Sequence, residues 1–289
     1  MSEKSHRVTA NGLSHHVLEW PAKERENGPT VVLVHGFMDA ARTWSWVAEN
    51  LSLLGFRVLA PDMRGFGEGP RVPPGAYYHF ADYVLDLTEL LETLAPNEPV
   101  ILVGHSMGGA IATLYAGAQP ERVRRLVNLE GLGPPDNDFA TGALRLGRWL
   151  SDMRAAKGRQ EQPLARDEAL RRLKLNHAYV SPDVLEKLVD ALARSLPDGR
   201  VMWRFDSLHR TTSPTPFFAQ LFAEYAKKVE CPTFFVSGGA KGYHPPDEAE
   251  RLTAFRTLER SELPEAGHMM HWTQPADLAK LIASFVLST

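Results

Sequence analysis

The sequence predicts an α/β fold, a mostly parallel β-sheet with helices on both faces, interrupted by a helical insertion. Three observations carry this. Short apolar runs at residues 31–34, 58–60, 100–103 and 126–129, interrupted only by Asn128, read as strands buried on both faces, the pattern of a parallel sheet. Between them, residues 44–54, 83–94 and 108–117 have helical periodicity, and strands alternating with helices imply βαβ units. After Gly133-Pro134-Pro135 the alternation stops: residues 134–228 are charged, helical in pattern and broken by Pro163, Pro182, Pro197, Pro214 and Pro216.

Each remaining element follows from local chemistry. Around residues 8–20, Asn11-Gly12 is a two-residue hairpin signal, which predicts an antiparallel pair at the sheet edge. Inside the insertion, Glu186, Leu188, Val189 and Leu192 recur at helical spacing. The α/β order resumes with a strand at 232–237, a helix at 246–255, a short strand at 259–263 and a terminal helix at 275–287. The expected division is a core of residues 1–133 and 229–289 around a helical insertion at 134–228. A chain of 289 residues buries enough surface for one such core.

Composition excludes several classes. A net charge of −3 with no long basic run offers no field for nucleic acid. Cys231 is the one cysteine, so there is no intrachain disulfide and no cysteine-based metal site, and no H-E-x-x-H motif is present. No run of about 18 apolar residues predicts a membrane span. The polar start Met1-Ser2-Glu3-Lys4 does not read as a signal peptide. The expectation is a soluble, cytoplasmic protein that needs no cofactor and no metal, acts on a small molecule, and has enough apolar surface in the insertion for a homodimer.

Gly104-His105-Ser106-Met107-Gly108 follows the apolar run at 99–103 and precedes a small-residue helix. It reads as a nucleophile elbow, a sharp strand-to-helix turn that holds a serine hydroxyl in the open beside a base. The pentapeptide arises by chance in a chain with 22 glycines, so its weight comes from context. One strand runs into His35-Gly36-Phe37 and another into Asp62-Met63-Arg64-Gly65-Phe66-Gly67. Glu130 closes the strand after the elbow helix, where a charge is costly unless it has a partner.

With H-G-x, D-x-R-G-x-G and G-x-S-x-G in this order, and Pro264-Glu265-Ala266-Gly267-His268-Met269-Met270-His271-Trp272 near the C-terminus, the chain resembles the α/β-hydrolase superfamily. Within it, the elbow, the insertion length and Gly242-Tyr243 are similar to the serine hydrolase-like group. The resemblance implies that Ser106 is the nucleophile and His268 its base, with His271 as competitor. It places the oxyanion hole at the backbone N–H groups of Phe37 and Met107, and it makes residues 134–228 a lid that selects substrate. Phe37, Met107 and Trp203 are expected to contact that substrate.

The third member departs from the common pattern. Most relatives carry an acid a few residues after the strand that here reads Phe234-Phe235-Val236-Ser237-Gly238, yet Gly239-Ala240-Lys241-Gly242-Tyr243 holds no carboxylate. Glu130 is the leading candidate, since some relatives place the acid after that earlier strand, and Asp247 is the alternative. His35 and His105 read as buried, hydrogen-bonded imidazoles, and Asp62 and Arg64 as braces of their loop. Trp203, Arg204, His209 and Arg210 either shape the pocket or anchor the lid.

Haloalkane dehalogenases and epoxide hydrolases share the fold but attack with a carboxylate, and Ser106 stands against both. The resemblance therefore implies a serine esterase cleaving small or medium carboxylic esters through an acyl-enzyme. A C–C bond hydrolase of the meta-cleavage type, with Arg204 or Arg210 holding a substrate carboxylate, and a non-catalytic ligand-binding protein are the alternatives.

Overall fold

The computed structural model describes residues 3–23, 28–158 and 161–288. Strands β1 (Lys4–Ala10) and β2 (Leu13–Trp20) pair antiparallel through a two-residue turn, in which Asn11 and Gly12 both take positive φ (49° and 67°). Those are the angles a type I′ hairpin needs, and the reason the Asn-Gly dipeptide marks it. β3 (Thr30–Val34) and β4 (Arg57–Pro61) flank helix α1 (Ser45–Leu53), and α2 (Phe80–Leu94) leads to β5 (Val100–His105). α3 (Met107–Ala118) and β6 (Val123–Leu129) complete this half.

Between β6 and the next sheet strand the chain forms α4 (Gly142–Ala156), α5 (Arg166–Asn176), α6 (Pro182–Leu192), a hairpin of β7 (Ala193–Ser195) and β8 (Val201–Trp203), and α7 (Ala219–Ala226). The sequence reading foresaw helices here and missed the hairpin, although Asp198-Gly199 at its turn carried the signal. β9 (Thr233–Ser237), α8 (Glu248–Leu252), β10 (Leu258–Glu262), α9 (Met270–Thr273) and α10 (Pro275–Leu287) close the fold. α8 is shorter than the helix expected at 246–255: it starts only after Pro245-Pro246 and ends at Leu252.

Among the described residues, eight strands make one sheet in the order β1-β2-β4-β3-β5-β6-β9-β10, with β2 antiparallel to both neighbours and every other pair parallel. Strand periodicity divides its two faces. Val32, Val34, Leu102 and Leu126 pack with α2 and α3, whereas Val31, Leu33, Ile101, Val103 and Val127 pack with α1 and α10. Both sets are buried, which explains why these strands read as continuous apolar runs. From β3 the chain steps outward to β4 and then crosses back to β5 on the other side. The carboxyl ends of β3 and β5 therefore flank the switch point where open α/β sheets place their sites.

α5, α6, β7 and β8 share an apolar cluster of their own, into which Ala40, Met269 and Trp272 also pack. The segment between β6 and β9 is thereby fastened beside the loops that follow β3 and β10. No helix among the described residues is long and apolar enough to cross a membrane.

Candidate active site

Ser106 sits between β5 and α3 with φ 52° and ψ −118°, a conformation that costs a side-chain-bearing residue on the order of 1–3 kcal/mol. The surroundings hold it there. Its N–H donates to the Leu129 carbonyl at 2.9 Å, and its own carbonyl accepts from Gly109 and Ala110 at 3.0 and 3.1 Å. A Cβ on Gly104 would stand 2.3 Å from the Gly108 carbonyl oxygen, and one on Gly108 would stand 2.2 Å from that of Val34. Both flanking glycines are thus required by backbone crossing at van der Waals contact. A Cβ on Gly36, at the end of β3, would lie 2.8 Å from His105 Nδ1 and 3.2 Å from the Ser106 Cβ.

Glu130 follows β6, also with positive φ (50°), and its side chain is sealed from solvent. Its Oε1 accepts from the Gly238 N–H at 2.5 Å, and its Oε2 accepts from the Tyr243 N–H at 2.7 Å and from His268 Nδ1 at 2.6 Å. Three donors satisfy the buried charge, as such a group requires. The missing acid after β9 is explained at the same point. The loop after β9 wraps the Glu130 carboxylate with backbone N–H groups, and a Cβ on Gly242 would lie 2.1 Å from Oε1. Asp247, the alternative acid, instead pairs with the buried Arg251 at 2.8 Å. Although it stands at the N-cap of α8, its side chain caps nothing.

His268 keeps a quarter of its side chain exposed. Since Nδ1 faces a carboxylate it carries the proton, which leaves the lone pair on Nε2. The loop is held at both ends of the residue: the His268 N–H donates to the Lys241 carbonyl at 3.1 Å, and its carbonyl accepts from His105 Nε2 at 2.8 Å. The Tyr179 hydroxyl, from the segment between α5 and α6, accepts the next N–H, that of Met269, at 3.0 Å.

His271, the competing base, is fully buried, stacks on Trp44 at 4.5 Å and places Nε2 2.9 Å from Asp39 Oδ2. Asp39 Oδ1 also accepts from the Ala40 N–H and the Thr43 hydroxyl. Burial alone would raise the Asp39 carboxyl. The His271 hydrogen bond, the charges of His271 and His35 and the Thr43 hydroxyl together outweigh it and hold the group below the usual carboxylate range, while burial pushes His271 down. Asp39, His105 and His271 each offer one ligand-capable atom within 4.8 Å of the others. The sequence reading passed over Asp39; its one signal is a carboxylate two residues beyond Phe37.

The other expected residues fall as follows. His35 Nδ1 donates to the Gly36 carbonyl and Nε2 accepts from the Met63 N–H, so it braces two loops. Asp62 accepts from His16 and from the N–H groups of Ala41 and Glu68, and Arg64 forks onto Asp86. Phe37 is half-exposed and meets Phe66 and His209 edge to face. Met107 opens α3 and packs against the α2/α3 side of the core. Trp203 packs on the apolar cluster of α5 and α6 and lines a cavity of about 300 Å³ with Phe205 and Arg210. Arg204 pairs with Glu68 at 3.3 Å, and Arg210 lies over the Phe205 ring. His209 stacks on both Phe66 and Tyr78 and shares a 2.8 Å hydrogen bond with Tyr83, an anchor between the segment before α7 and the core.

Known proteins are similar to this chain in sequence and fold. The chain is 28% identical over 262 residues to the mouse (Mus musculus) sn-1-specific diacylglycerol lipase ABHD11, covering 89% of this chain and 81% of the lipase. It is 36% identical over 122 residues to epoxide hydrolase 2 of Siraitia grosvenorii, a match that spans 42% of this chain and 37% of that protein. The solved structure of the hypothetical protein PA1622 from Pseudomonas aeruginosa PAO1 superposes with a TM-score of 0.86 at 27% identity, covering 99% of this chain and 100% of the other. The family model of the alpha/beta hydrolase fold matches residues 29–275, and the chain belongs to that family.

Proposed function

We propose that the protein is a serine hydrolase that cleaves small or medium carboxylic esters through an acyl-enzyme. The observation that carries this reading is the Glu130–His268 pair at 2.6 Å, brought together across 138 positions at the carboxyl edge of the sheet where Ser106 sits in its strained turn.

In this mechanism Ser106 Oγ attacks the ester carbonyl while His268 Nε2 takes its proton. Glu130 fixes the tautomer through Nδ1–H and stabilises the imidazolium formed. The backbone N–H groups of Phe37 and Met107 receive the oxyanion, each worth about 3 kcal/mol in the transition state. The imidazolium then protonates the departing alcohol, and water attacks the acyl-Ser106 ester with His268 again as base.

Residues 134–228 act as a lid over this edge, with Phe37, Met107 and Trp203 contacting substrate. Support comes from the packing of Ala40, Met269 and Trp272 into the α5/α6 cluster and from the Tyr179 bond to Met269. The ester reading is favoured over the C–C hydrolase because Arg204 and Arg210, the cations that chemistry would recruit, are engaged by Glu68 and Phe205.

A p-nitrophenyl ester series from acetate to decanoate, run on the wild type and on Ser106→Ala with the burst phase recorded, tests the proposal. The expected outcome is a burst and steady turnover that fall by roughly four to six orders of magnitude in Ser106→Ala. Turnover that survives the substitution rejects the reading.

A further inference from the structure

Among the described residues, α4 (Gly142–Ala156) is the one α-helix that buries none of its own. It is fastened to the molecule along a single stripe. Arg145 Nε donates to the Ser213 carbonyl at 3.0 Å, Trp149 meets the Tyr77 ring edge to face at 5.5 Å, and Asp152 accepts the Thr212 N–H at 2.8 Å. These residues stand at i, i+4 and i+7, one face of a helix, and that face is turned inward.

Helical periodicity then turns Leu144, Arg148, Leu150 and Arg154 outward, with Leu146 at their flank. Leu144 is 60% exposed, Leu146 46% and Leu150 45%, and Phe139, in the turn ahead of the helix, reaches 77%. A surface helix ordinarily turns such residues toward the core. Four large apolar side chains left outward within twelve residues mark a surface that meets something other than water.

The charge on this segment names what it meets. Residues 139–158 hold four cations, Arg145, Arg148, Arg154 and Lys157, against one acid, Asp152, in a chain whose net charge is −3. Arg145 and Asp152 are used on the inward stripe. Arg148, Arg154 and Lys157 make no ion pair among the described residues, so the outward charge is positive throughout.

We propose that α4 and the turn before it rest on an anionic lipid surface. Phe139, Leu144, Leu146 and Leu150 enter the boundary between headgroups and acyl chains, and Arg148, Arg154 and Lys157 meet the lipid phosphates. Exposed apolar surface alone would equally suit a second copy of the chain. The charge decides against that occupant, because a two-fold contact through this face sets its cations against their own copies. A peptide partner would need a groove, whereas a helix with every residue at least partly exposed presents a ridge. Binding of this kind does not depend on the hydrolase reading.

The test is sedimentation of the full chain with vesicles of phosphatidylglycerol and phosphatidylcholine in equal parts, beside vesicles of phosphatidylcholine alone. Binding to the anionic vesicles is expected at about 0.05 M salt, weakened tenfold or more at about 0.5 M, where screening shortens the reach of the cations. The target side chains are exposed, so their variants keep the fold. Leu144→Ser with Leu150→Ser, and separately Arg148→Gln with Arg154→Gln, are each expected to weaken binding roughly tenfold or more. Leu175→Ser, at an exposed leucine of α5, and Ser106→Ala are expected to bind as the wild type does. Absence of binding, equal binding to phosphatidylcholine alone, or binding that survives both double substitutions overturns the proposal. So does a concentration-dependent dimer in analytical ultracentrifugation that the leucine double variant abolishes.

Discussion

Two carboxylate–histidine pairs lie side by side at the carboxyl edge of this sheet, and they differ in what the chain does with them. Glu130 holds His268 by Nδ1 and leaves a partly exposed ring whose Nε2 is free to exchange a proton. Asp39 holds His271 by Nε2 inside the core, under the Trp44 ring, with no solvent contact. The ionic chemistry is the same in kind. Burial of the imidazole, rather than possession of a carboxylate partner, separates a group able to shuttle protons from one that is locked.

The contrast is broken most sharply at Glu130. Glu130→Gln removes the charge that stabilises the imidazolium while keeping the side-chain volume, and kcat on a p-nitrophenyl ester is expected to drop about 10³- to 10⁴-fold in a folded protein. Near-wild-type turnover would return the acid to an unrecognised group. The next largest effect belongs to the sealed pair. His271→Ala strands the Asp39 carboxylate in the core and is expected to cost about 3–5 kcal/mol in urea unfolding, with a smaller loss of turnover in the folded fraction than Glu130→Gln gives. Equal kinetic damage from both would show that the two pairs act as one unit.

His209 sharpens the comparison as a partly buried histidine with no carboxylate partner on its ring. Burial pushes its imidazole from 6.5 down to about 4. Between those values the unfolded chain holds a proton that the folded one does not, so the contribution to stability is complete above pH 6.5 and declines as the pH falls toward 4. At pH 5 the loss is about 2 kcal/mol. Unfolding free energies of wild type and His209→Gln, compared at pH 7.5 and pH 5, should differ by that amount in their pH dependence; parallel curves would mean that His209 does not titrate in this window. The smallest effect is expected at Asp247. Asn there keeps turnover within about twofold and lowers stability by about 1 kcal/mol through the lost Arg251 pair. Loss of turnover comparable to Glu130→Gln would make Asp247 part of the site.

Much of this arrangement is legible in the residues. The apolar runs and their spacing specify the parallel sheet, because a strand buried on both faces tolerates little polarity. Asn11-Gly12 specifies the first hairpin, and a glutamate ending the apolar strand at Leu129 signals a buried charge in need of a partner. Local patterning also separates the charged helices of residues 134–228 from the alternating core.

Other features depend on distances that no local pattern encodes. That Glu130 rather than Asp247 meets His268 is decided by β6 lying beside β9, which brings Gly238 and Tyr243 around one carboxylate across more than a hundred residues. The choice between His268 and His271, three residues apart, is decided by which ring the α9 turn carries under Trp44. Asp39 drew no notice in the sequence because its partner is 232 positions away. The sequence by itself determined the strands, the turns and the residue types, since these rest on periodicity and short-range sterics. Only the tertiary structure decided which charges are paired and which imidazole meets solvent, since desolvation and hydrogen bonding depend on what the fold packs around each group.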